Sequence, residues 1–198
     1  MNLQPLYDWI FHQNPDGTGL TLKAAGMGLG AFLVAAHLFA WANAERLMVA
    51  AKSFPRSRGW GIALLFVATA WSLFLVKHMD MGEFFTWRER LLVIVPVTFV
   101  LVVVYVPEFL AVRALGTVML LAALPVLQAA FLQPQASRLL LPVLAYAWII
   151  AGMFFVGTPY LLRDWISWLS QKPSRWKLAA LGGAAYGAAM IIAGMLWW

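Results

Sequence analysis

The sequence predicts an all-α fold: a polytopic integral membrane bundle of six transmembrane helices with short interfacial amphipathic helices. Three observations predict it. First, six stretches carry no Asp, Glu, Lys or Arg: Ala24–Ala44 (21 residues), Gly59–Val76 (18), Leu91–Pro107 (17), Ala114–Ser137 (24), Leu139–Leu162 (24) and Leu178–Trp198 (21). A hydrocarbon core about 30 Å thick takes roughly 20 apolar residues at 1.5 Å rise each, so every run approximates one crossing. Second, the chain is 63% hydrophobic and 11% charged, with mean hydropathy +0.80, whereas charged residues make up about 25% of a soluble domain. Third, Trp60 opens the second run, and Trp176 and Trp197-Trp198 bracket the last. Tryptophan favours that headgroup level.

These runs predict a single transmembrane domain over residues 1–198, with spans near 20–44, 59–77, 91–107, 109–132, 139–162 and 177–198. Residues 1–19 form an interfacial segment in which Leu6, Trp9 and Ile10 recur at helical spacing before Asn14-Pro15-Asp16-Gly17-Thr18-Gly19 breaks the chain. Thr18 is the expected helix cap of span one. The first basic residue is Lys23, preceded by Asp8 and Asp16, so a cleavable signal peptide is not expected. The turn at Pro107 and Glu108 is short enough to make spans three and four an antiparallel hairpin.

Glu83-Phe84-Phe85-Thr86-Trp87 after span two and Asp164-Trp165-Ile166-Ser167-Trp168 after span five share the order acid, aromatic, apolar, hydroxyl, tryptophan. Both read as amphipathic helices lying on the membrane. Pro55–Arg58 and Pro134–Arg138 each place Pro, then Ser-Arg, before a span containing Ala-Trp (Ala70-Trp71, Ala147-Trp148). Two halves of three spans have opposite orientation, as in the inverted repeats of many transporters. Interfacial segments also converge on this composition without any repeat.

With six spans, one face holds Arg46, Lys52, Arg56, Arg58, Arg113, Arg163, Lys172, Arg175 and Lys177, and the other holds Lys23, Lys77, Arg88, Arg90 and Arg138. Lys and Arg are retained on the cytoplasmic side, so nine against five predicts both termini outside a bacterial-type inner membrane. The formal charge of +6 comes from residues scattered over span ends, without an interleaved aromatic and basic patch. That pattern fits the lipid bilayer as partner and no nucleic acid. Zero cysteines exclude disulfides, thiolate metal sites and thiol catalysis.

The chain has no Glu-x-x-His pair, intramembrane acid pair or Gly-x-Ser-x-Gly elbow, so no catalytic or metal residues are assigned and no enzyme or cofactor is expected. A bis-histidine haem needs ligands at one depth, yet His37 belongs near the cytoplasmic face while His12 and His78 belong outside. Nothing in the spacing fixes His12, His78, Asp80 and Glu83 as a cluster. His37 is the intramembrane functional candidate, its alternative being a histidine hydrogen-bonded to a nearby carbonyl. Gln128 and Tyr146 are the other polar side chains well inside spans, and Arg113 reads as a snorkelling anchor. Gly26 and Gly30, and likewise Gly183 and Gly187, are four apart, the spacing of close helix packing. Such faces serve either one chain or contacts with other membrane subunits or a second copy.

The expected function is that of a non-enzymatic subunit or scaffold of an inner-membrane assembly. The alternative is a small transporter or channel on a three-plus-three inverted repeat, although Pro96 and Pro125 do not sit at corresponding positions of the halves.

Overall fold

Where the long helices begin follows from local capping. Thr21 has extended backbone and its hydroxyl accepts the Ala24 N–H at 3.1 Å, satisfying one of the amides a helix start leaves unpaired. Ser57 takes the Trp60 N–H at 3.4 Å in the same way, and Pro173 occupies a first-turn position where its missing N–H costs nothing. The computed structural model describes residues 3–11 and 19–198, so the expected cap Thr18 lies outside the described residues.

Among the described residues every regular element is helical: α1 (Gln4–Phe11), α2 (Leu22–Ala42), α3 (Ala44–Ser53), α4 (Arg58–His78), α5 (Arg88–Tyr105), α6 (Leu110–Ala130), α7 (Leu140–Gly157), α8 (Tyr160–Leu169) and α9 (Pro173–Leu196). Tight 3-10 turns cover Phe54–Arg56, Gly82–Trp87 and Ala136–Leu139. Among the described residues five helices are long and apolar enough to cross a membrane: α2, α4, α6, α7 with its preceding turn, and α9. α5 opens with Arg88-Glu89-Arg90 and has only Leu91–Tyr105 as its apolar stretch, about 22 Å of helix.

One connection proves to be helical, and two expectations are corrected. The connection after α2 is itself helical: the backbone N–H and side-chain amide of Asn43 both donate to the Phe39 carbonyl, at 3.0 and 3.1 Å, and α3 follows at once. Of the two segments sharing a pattern, Glu83–Trp87 forms a 3-10 turn while Asp164–Trp168 lies inside the α-helix α8. The fifth span ends at Gly157, and residues as far as 162 turn into α8 instead.

α2 packs along α9, α6 along α7, and α4 along α6. The halves are not paired alike, since α2 and α4 make no extensive contact while their counterparts α6 and α7 do. Leu141, Met190, Ala145, Ala123 and Ala129 form the main buried core, with Val112, Phe155 and Leu162 in a smaller one. Polar ties join the helices where the core thins. The Trp176 indole N–H donates to Ala40 O (3.0 Å), the Tyr186 hydroxyl to Leu140 O (2.7 Å) and the Trp198 indole N–H to Ser137 Oγ (2.8 Å). The tryptophans bracketing α9 therefore fasten it at both ends.

Gly61 sets the direction of the remaining helices. A Cβ there would lie 2.8 Å from Leu110 Cγ and 2.9 Å from Ala111 N, so the starts of α4 and α6 abut and the two run parallel. α5 must return between them, and Phe109, in left-handed backbone at φ 55°, turns the chain into α6. α3, α8 and the start of α9 contact one another at this same end, which gathers the nine basic residues counted above.

Candidate functional site

His37 occupies a notch. Its Nδ1 lies 2.8 Å from Leu33 O, and because a carbonyl only accepts, the ring proton is on Nδ1. The imidazole covers Gly183, where an added Cβ would collide with Cδ2 and Nε2. The histidine thus fills the space a missing side chain leaves on α9.

The remaining candidate glycines also meet this chain's own atoms. A Cβ on Gly30 would lie 2.8 Å from Gly187 O, and one on Gly187 would lie 2.7 Å from Gly30 O. Gly26 is covered by the Trp198 ring, which also approaches Gly194. Side-chain-free positions bring the α2 and α9 backbones together, so dispersion acts over a long seam. Sequence reasoning missed a second such crossing: a Cβ on Gly116 of α6 would lie 2.7 Å from Gly152 O of α7, and one on Gly152 would lie 2.9 Å from Gly116 O. Neither has another small residue four positions away to signal it.

Arg113 is more than the snorkelling anchor expected. It lies in the first turn of α6, and its Nη1 donates to Val156 O of α7 at 2.9 Å. Its Nε is buried without a hydrogen-bond partner. The side chain lines a cavity of about 420 Å³ bounded by α4, α5, α6 and the end of α7. Thr69 and Thr117 on the wall donate to Leu65 O (2.8 Å) and Arg113 O (3.0 Å), as membrane-helix hydroxyls do. Ser72 and Thr98 add two further hydroxyls, and the rest of the wall is apolar. No carboxylate lines it.

At the opposite end, Tyr7 of α1 stacks near His78 (ring centroids 6.3 Å) and meets Phe74 at a tilt (6.0 Å). The His78 Nδ1–H donates to Phe74 O at 2.8 Å. Burial, then the negative charges of Asp8 and Asp80, raise the Tyr7 phenol above its ordinary value. His12 lies outside the described residues, among which no group of three His, Asp or Glu side chains converges as a metal site would require. Gln128 sits in the last turn of α6, and Tyr146 is exposed on α7. Compared with protein-family models, curated proteins and solved structures, the chain matches none, and its functional reading therefore rests on this geometry.

Proposed function

We propose that the chain is a non-enzymatic, multi-pass subunit or scaffold of a bacterial-type inner-membrane assembly, with α5 as a sixth crossing and both termini outside. The parallel course of α4 and α6 supports the sixth crossing, because the helix between them has to run back. Its short apolar stretch is compatible with a bilayer that thins slightly or with flanking cations that snorkel. Arg88 and Arg90 lie over Phe85 (4.8 Å) and Trp87 (5.0 Å) at its start, an arrangement suited to the headgroup layer. The basic residues gathered at the other end support the orientation.

The observation carrying the subunit reading is the outer face of α5. This helix packs on α4 and its own preceding turn and buries no residue. Val93, Val97, Val100 and Val104 form an exposed stripe along it, spaced i, i+4, i+7, i+11 on one helix face. Valine has few side-chain rotamers to lose in a helix, so covering this face with another helix carries a low entropic cost. Other helices expose single valines, Val49, Val67 and Val143, among bulkier residues such as Phe32, Phe39 and Phe66.

Extraction of native membranes into lipid nanodiscs, followed by mass measurement, tests this. The 22.0 kDa chain is expected in a heteromeric particle of fixed stoichiometry, from which Val97→Trp releases it by obstructing the valine stripe. A wild-type chain found only as a free monomer would contradict the reading.

A further inference from the structure

We propose that the cavity beside α5 binds an anionic phospholipid, with Arg113 holding the phosphate. Guanidinium cannot shed its charge at any ordinary pH, and a charge inside a membrane protein pairs or faces a polar cavity. Arg113 has one donor committed to Val156 O and a buried Nε with no partner. The cavity wall supplies no carboxylate to neutralise it. An anion is thus the missing complement, and phosphate oxygens match the fork of Arg donors.

The walls distinguish a lipid from a free ion. Below the guanidinium the cavity runs between Leu65 and Ala68 of α4 and Val95, Phe99 and Val102 of α5, an apolar slot suited to an acyl chain. Its volume of about 420 Å³ falls within the roughly 300–1,000 Å³ typical of ligand sites. Depth agrees as well. Arg113 is the fourth residue of α6, about 4.5 Å along the axis from the helix start, at the end where the basic residues collect. A headgroup at that level leaves its chains pointing toward the midplane. This site is independent of whether another subunit covers the outer face of α5.

The test is native mass spectrometry of the purified, delipidated chain, with phosphatidylglycerol, phosphatidylcholine or inorganic phosphate added back. Wild type is expected to retain phosphatidylglycerol about tenfold or more better than phosphatidylcholine, because the choline cation cancels the net charge that the buried guanidinium needs as its complement. Arg113→Gln should abolish that preference, and Arg113→Lys should keep part of it. Val102→Trp leaves the arginine intact but fills the slot, so it should reduce retention of phosphatidylglycerol even if Arg113→Gln folds poorly. Equal retention of the two lipids by wild type, or undiminished retention by Val102→Trp, would overturn the proposal. So would inorganic phosphate displacing phosphatidylglycerol, which would leave a free-anion site.

Discussion

The Gly187→Leu variant is expected to lose thermal stability in detergent by about 2 kcal/mol or more, because the new side chain would enter the space held by Gly30 O, Leu33 and Val34. Overpacking of a close seam costs typically 1–3 kcal/mol and can exceed that where backbone is the obstacle. Replacing glycine within a helix recovers up to about 1 kcal/mol of intrinsic propensity, so the net loss measures the steric conflict after that gain. Gly30→Leu should behave alike, since the contact is reciprocal. Gly28 has open space where its Cβ would be, so Gly28→Leu controls for the helix itself and should be neutral or slightly stabilising. Equal stabilities for Gly187→Leu and Gly28→Leu, measured by thermal unfolding, would mean that α2 and α9 do not meet there.

The Trp198→Ala variant should be comparably costly, at about 3 kcal/mol, in line with large-to-small changes at packed aromatic sites. Its ring covers Gly26 and approaches Gly194, and its indole N–H reaches Ser137 Oγ at 2.8 Å. One residue thus joins α9, α2 and the turn before α7. Trp198→Phe keeps most of the ring and gives up one hydrogen bond, for which about 1 kcal/mol is expected. The neighbouring Trp197 is 59% exposed, and Trp197→Ala should change stability little. Similar losses at positions 197 and 198 would indicate general fraying of the terminus instead of a specific wedge.

Features governed by composition along the chain were legible in the sequence, and features depending on which helices meet were not. Charge-free runs located the long helices because lipid tolerates few charges along a span. α3 escaped notice because Glu45, Arg46 and Lys52 look like loop charge, whereas they accompany a regular backbone bonded onward from Asn43. Gly30 and Gly187 stood out through small residues four apart, yet nothing in either helix said that they oppose each other. Gly116 and Gly152 lacked even that signal. Arg113 looked like an end-of-helix anchor because its walls come from α4, α5 and α7, as far away as Leu65 and Val156. The expected cap Thr18 lies outside the described residues, and the cap observed on α2 is Thr21.

Whether α5 crosses the bilayer is decided most directly by labelling its two ends. Glu83 precedes the helix, Glu108 follows it, and both are exposed. The chain has no cysteine, so Glu83→Cys and Glu108→Cys each introduce a single reporter thiol. Treated with a membrane-impermeant thiol reagent in intact cells, Glu83→Cys is expected to react at once, and Glu108→Cys only after the membrane is permeabilised. Both cysteines reacting in intact cells, or neither, would place the two ends of α5 on one side and contradict the six-crossing topology.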